Sequence, residues 1–221
     1  MPNILIGIPA PDTVPTIFMF NLTNIIAYTK RNYKDLTDLV VATNSGVRTD
    51  RNRNYILKRA MAENIDYILW LDHDMIYPVD IICQYMRTKF DVIGCLYFKR
   101  PVPHDPVVFI KNKTNTKKPY NAISPSSLLP DNVYPVDAIG YGGMMVNMDV
   151  YKKLGQKRWT HYGSNYHLPY EAEDRGSHDM TFCEDCKAAG YKILVHGSVR
   201  AGHIVQKVIT EDDYRFYHPV K

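Results

Sequence analysis

The chain has 221 residues, and its 27 Lys and Arg against 23 Asp and Glu leave a formal charge of +4. That length suits one generous domain, and a composition 45% apolar and 23% charged excludes wholesale disorder. So small a charge excess does not by itself mark a nucleic-acid binder. No apolar run reaches the roughly 18 residues that a bilayer span needs. The start, MPNILIGIPAPDTVP, has no basic region and is broken by Pro9, Pro11 and Pro15, so it does not read as a signal peptide. Cys83, Cys95, Cys183 and Cys186 are scattered through regular segments, which suits reduced thiols and a cytoplasmic location. Cys183 and Cys186 form a lone C-x-x-C, half of what a structural zinc site requires, and read as two helix thiols.

ILIGI at 4–8 predicts a short buried strand, followed by a helix with Ile17, Phe18, Leu22, Ile25 and Ile26 on one stripe. DLVVAT at 38–43 predicts a second strand, and Asp50 could cap a helix carrying Ile56, Leu57, Ala60 and Met61. YILWL at 67–71 is a third strand, stopped by DHDM. Pro78 fits the first turn of a helix to about Arg87, and DVIGCLYF at 91–98 is a fourth strand. This β-α alternation predicts an α/β fold with a mostly parallel central sheet and helices on both faces.

The second half is less regular. Residues 99–132 read as a long loop, VDAIGYGGMMVNM at 136–148 as strand material interrupted by glycines, and Asp149 as the start of a short helix. Residues 155–177 read as a polar, aromatic surface loop that could serve as a lid. Ser177 caps a predicted helix to Ala189 with Gly190 at its C-terminal stop, and YKILVHG is a last strand. The expected organisation is one domain over 1–221, with a nucleotide-type α/β half at 1–98 and a looser half at 99–221. Ligands of such sheets bind in loops at the carboxyl ends of the parallel strands.

The sharpest chemical feature is NIDYILWLDHDMIYP, where an apolar strand delivers Asp72, His73 and Asp74 to its end. In extended backbone Asp72 and Asp74 point the same way. Two carboxylates so placed repel unless a cation sits between them, and Mg²⁺ or Mn²⁺ takes such oxygens and shares them with phosphates. A solvated Asp-rich turn is the bland alternative.

Arg53-Asn54 precedes this strand on the second helix. L-D-H-D-M at 71–75 is followed by G-C-L-Y-F-K-R at 94–100, G-Y-G-G-M-M-V at 140–146, H-D-M-T-F-C at 178–183 and A-G-H-I at 201–204. In order and spacing the chain resembles the nucleotide-sugar glycosyltransferases of the GT-A fold, in particular the short family-two-like enzymes of bacteria and their phages. The resemblance spans about residues 3–205.

It implies a metal-dependent transfer of a sugar from a nucleoside diphosphate to an acceptor hydroxyl. Pro9 and Ala10 would border the nucleoside, with Asn44 near its base and Arg53 facing the nucleotide. Asp72 would lie by the ribose and the metal, with His73 beside it at the donor. Asp74 and His203 would bind Mn²⁺ or Mg²⁺ directly. Asp179 would be the general base, although His178 stands where an acidic residue is usual, so Glu173 and Asp174 remain candidates. Gly142 and Gly143 would let backbone approach the sugar or acceptor, or would form a β-bulge. Lys99 and Arg100 could meet the diphosphate, or be a solvated strand end. The other histidines, His161, His167, His178 and His196, read as structural. Two rivals are a nucleotidyltransferase that makes nucleotide sugars and a non-catalytic carbohydrate- or nucleic-acid-binding module. IPAPDTVPT lacks the glycines and basic residues the first would need. Lys111, Lys113, Lys117 and Lys118 cluster, so nucleic acid could be the acceptor, or they form a solvated loop.

Overall fold

The computed structural model describes residues 1–46, 49–112, 114, 119–155 and 178–205. The anticipated lid at 155–177, with Glu173, Asp174, His161, His167 and the Ser177 cap, falls outside them except for Gly155. Lys113, Lys117 and Lys118 fall outside them as well.

The apolar runs become the sheet. Strands β1 (Asn3–Pro9), β2 (Asp38–Asn44), β3 (Tyr67–Trp70), β5 (Val92–Leu96) and β11 (Ile193–Arg200) are interleaved with helices α1 (Thr16–Asn32), α2 (Thr49–Ala62) and α3 (Ile81–Met86). Strands β8 (Val133–Val136) and β10 (Met144–Asn147) complete a seven-stranded sheet of order β2-β1-β3-β10-β5-β11-β8. Strand β1 runs parallel to β2 and β3, and β5 parallel to β11. Strand β10 is antiparallel to both neighbours, and β8 antiparallel to β11. The fold is therefore α/β with a mostly parallel sheet.

Period-two alternation sorts the strand residues between two cores. Ile4, Ile6, Leu69, Ile93 and Cys95 pack on one face with Phe18, Leu22 and Ile25 of α1 and Ile81 of α3. Leu5, Ile68, Trp70, Val92 and Leu96 pack on the other with Ile56, Leu57 and Ala60 of α2. Helices thus cover both faces. Phe182, Cys183 and Cys186 of α5 (His178–Ala188) join the second core, beside α4 (Met148–Leu154). Helix α4 is capped by Asn147, whose side chain accepts from Asp149 N at 2.9 Å. Gly190, at φ +88°, ends α5 as expected. The four cysteines are buried and unbridged, and burial pushes the Cys183 thiol up to about 12.

Several boundaries differ from the sequence reading. Ile17 is exposed, one position off the buried stripe. Helix α2 begins at Thr49, so Asp50 lies inside its first turn. Pro78 precedes α3, which starts at Ile81. The supposed loop at 99–132 contains strands β6 (Val108–Lys111) and β7 (Tyr120–Ala122). These join β9 (Ala138–Ile139) in a separate three-stranded sheet of order β7-β6-β9. A further two-stranded ladder pairs β4 (Met75–Ile76) with β12 (Gly202–His203). Among the described residues, no helix is long and apolar enough to cross a membrane.

Candidate active site

Parallel strands end together, so the segments after β1, β2, β3, β5 and β11 collect at one edge of the sheet. Strand β10 runs the other way, which places the glycines before it at this same edge, with Met144 opposite Trp70. The candidate residues at strand ends therefore arrive at the edge by topology alone.

Trp70 ends β3, and the backbone then turns at His73 and Asp74 instead of staying extended. The extended backbone on which Asp72 and Asp74 were expected to align is therefore absent, and the two carboxylates pair with different arginines. The turn is held by Tyr77, whose hydroxyl accepts from Asp72 N at 2.8 Å.

Asp72 belongs to the first group. Arg53, in the first turns of α2, places Nη2 2.7 Å from Asp72 Oδ1, with its side chain 8% exposed. Its Nη1 lies 2.6 Å from His178 Nε2, and the same nitrogen lies 2.8 Å from Asp179 Oδ1. One nitrogen cannot serve both neighbours at once: as an acceptor it takes the Arg53 proton, and as a donor it serves Asp179. Tyr141 is the floor of the group. Arg53 sits 4.4 Å above its ring, and the His178 ring stacks on it at 5.6 Å and 17°. Burial alone would raise the Asp179 carboxyl, but His178 and the Arg53 charge outweigh it and hold the group below its ordinary value. Burial would lower Arg53, and Asp72 and Asp179 reverse that, keeping it cationic.

Asp74 belongs to the second group. Its carboxylate pairs with Arg100, from the segment after β5. The β4–β12 ladder sets His203 opposite Met75, and Ile204 N donates to Asp74 O at 2.7 Å. The late histidine thereby reaches the D-H-D turn. His203 Nδ1 lies 2.5 Å from Phe98 O. A carbonyl can only accept, so Nδ1–H is the donor in this contact and Nε2 is the ring nitrogen not committed to it.

Other expected residues take quieter places. Pro9 and Ala10 are buried where β1 ends, and Ala10 N donates to Asn44 O at 3.2 Å. Asn44 Nδ2 donates to Asn52 Oδ1 at 2.7 Å. His73 is half-buried at the turn. Lys99 pairs with Asp105 at 3.8 Å. At Gly142 the backbone comes so close that an added Cβ would meet Met75 Sδ at 2.7 Å and Asp72 Oδ2 at 3.1 Å. Gly143 adopts φ +82°, and its N–H donates to Trp70 O at 2.9 Å. His196, read as structural, is buried on β11 against Tyr85, and Lys111 is exposed at the end of β6. Sequence reasoning read His178 as structural and did not single out Tyr141. Their only signal was position, beside Asp179 and inside G-Y-G-G.

Among the described residues, no group of three or more His, Cys, Asp or Glu is placed to hold a metal ion. Each carboxylate of the D-H-D turn instead has a guanidinium for its cation.

No protein-family model and no curated protein matches the chain. Solved structures do. The chain is similar to A197 from STIV, with a TM-score of 0.56 at 13% identity over 92% of this chain and 86% of that one. It is similar to GalNAc-T7, solved with UDP, GalNAc and Mn²⁺, with a TM-score of 0.60 at 12% identity over 93% of this chain. It spans only 44% of that protein's chain. At such identities the likeness is one of fold: the chain has a GT-A-like α/β fold.

Proposed function

We propose that the protein is a divalent-metal-dependent glycosyltransferase that moves a sugar from a nucleoside diphosphate to an acceptor hydroxyl. One observation carries the reading. A two-residue ladder brings His203 to the D-H-D turn, at the sheet edge where Arg53, Asp72 and Asp179 also meet. The fold shared with GalNAc-T7, a protein solved with UDP, GalNAc and Mn²⁺, supports the same ligand classes here.

No three protein ligands are gathered among the described residues, but carboxylate and imidazole are donors that Mn²⁺ or Mg²⁺ takes when diphosphate oxygens complete its shell. Asp74 and His203 would hold Mn²⁺ or Mg²⁺, with Asp72 beside them. When bound, the cation would neutralise the diphosphate as it leaves.

The rest of the work belongs to the chain itself. Arg53 is fixed by Asp72 and Tyr141, and the guanidinium N–H groups not committed to Asp72 would face a phosphate or base oxygen. Pro9, Ala10 and Asn44, at the ends of β1 and β2, border the nucleoside, and His73 lies at the donor. Gly142 and Gly143 give the backbone its close approach. Asp179, kept ionised by His178 and Arg53, is poised to take the proton of an acceptor hydroxyl.

A donor screen tests the reading. The purified protein, incubated with a panel of nucleotide sugars, should hydrolyse or be thermally stabilised by one of them, and only with Mn²⁺ or Mg²⁺ present. No response to any donor in either cation would contradict it.

A further inference from the structure

The two carboxylates of the D-H-D turn are neutralised by arginines of very different character. Arg53 is 8% exposed and packed on Tyr141, so it is a fixed partner of Asp72. Arg100 is 58% exposed, while the Asp74 side chain it covers is only 15% exposed. Its guanidinium therefore lies on the solvent side of Asp74. The supporting segment is anchored at its base, where Phe98 bridges Pro106 and Lys99 N donates to Asp105 O at 2.9 Å, but residues 98–105 are exposed. The same segment supplies Phe98 O, which orients His203. A single short stretch thus sets the imidazole and covers the carboxylate.

We propose that Arg100 is a built-in counter-ion of Asp74 that competes with the divalent cation and passes to the diphosphate once the cation is bound. The proposal rests on the metal-site reading above. A dication at Asp74 and a guanidinium on the same carboxylate repel each other, and Arg100 is the exposed partner, on a long stem at the solvent side, so the arginine is the one that yields. Its long stem stays attached to a strand end at the same sheet edge, where a phosphate oxygen offers the fork an equivalent bidentate partner. Ligand-free protein thereby avoids a half-buried Asp74 carboxylate without a counter-ion, and cation binding is coupled to donor binding.

The test is a titration of nucleotide-free protein with Mn²⁺ at low ionic strength, read as loss of the free Mn²⁺ electron paramagnetic resonance signal. A second titration adds UDP at saturating Mn²⁺, followed calorimetrically. Wild type, Arg100→Gln, Arg100→Lys and Asp74→Asn are compared, each checked for an unchanged melting temperature. Arg100→Gln should bind Mn²⁺ about three- to fivefold more tightly, with the gain shrinking as salt rises. It should bind UDP about tenfold more weakly. Arg100→Lys, which keeps the charge, should bind Mn²⁺ like wild type. Mn²⁺ affinity unchanged or weakened in Arg100→Gln, or UDP affinity unchanged, overturns the proposal while Asp74→Asn still loses the metal. Asp74→Asn binding Mn²⁺ as tightly as wild type instead overturns the metal-site reading, and the proposal with it.

Discussion

Met75 and His203 face each other across a two-residue antiparallel ladder, and this pairing carries the late histidine to the turn that holds Asp74. His203 Nδ1–H is committed to Phe98 O, so the other ring nitrogen is the one left for a ligand. His203→Ala should weaken Mn²⁺ binding by more than the roughly 10–100-fold typical of losing an orienting partner alone. Calorimetric titration with Mn²⁺ checks it, and an unchanged dissociation constant would return His203 to a structural role.

Arg53 is both a candidate donor ligand and a structural cation. Removing its charge in Arg53→Met leaves Asp72 and Asp179 without their buried partner, and should cost about 3–5 kcal/mol in urea unfolding. Arg53→Lys keeps the charge but cannot span Asp72 and His178 with one rigid fork. It should fold and bind nucleoside diphosphate more weakly. Unaltered stability in the first variant and unaltered affinity in the second would each contradict the account.

Asp179 combines a stability role with a chemical one, and pH separates them. Its carboxyl is lowered in the folded state, so it adds stability above its unfolded pKa of about 3.9 and loses it as the pH falls through the folded value. Asp179→Asn should flatten the acid side of the stability profile below about pH 4. At neutral pH the folded variant should bind donor but transfer sugar at least about a hundredfold more slowly. Full transfer activity in Asp179→Asn would move the base to Glu173 or Asp174.

Gly143 is demanded by the backbone. A Cβ there would lie 2.5 Å from Cys95 Sγ, in a conformation at φ +82° that L side chains rarely adopt. Gly143→Ala should destabilise by about 2–5 kcal/mol, the sum of left-handed strain and overpacking. A change under about 0.5 kcal/mol in denaturant unfolding would show that the loop before β10 relaxes freely.

The sequence made the core strands legible because ILIGI, LVVA, YILWL and VIGCL are short apolar runs with helical stripes between them. The ends of parallel strands gather at one sheet edge by topology, which brings Asp72 and Asp74 there after β3; Arg53 and Asp179 come from helices, and His203 from a short ladder. Strands β4 and β12 were invisible, because two residues carry no periodicity. Strands β6 and β7 were hidden among prolines and lysines, and β9, the second partner of β6, is distant in sequence. The separate fates of Asp72 and Asp74 depend on where the chain stops being extended, and nothing in W-L-D-H-D states that the turn begins so soon. The roles of Tyr141 and His178 arise from packing against Arg53, a contact between three separate elements.

The central claim is that the D-H-D turn binds a nucleoside diphosphate through a divalent cation. Its most direct test is the affinity for UDP, measured calorimetrically with Mn²⁺ and with EDTA, in wild type and in Asp74→Ala. The account predicts much tighter binding with Mn²⁺ in wild type and no difference between the two conditions in Asp74→Ala. Equal affinity with Mn²⁺ and with EDTA in the wild-type protein would contradict it.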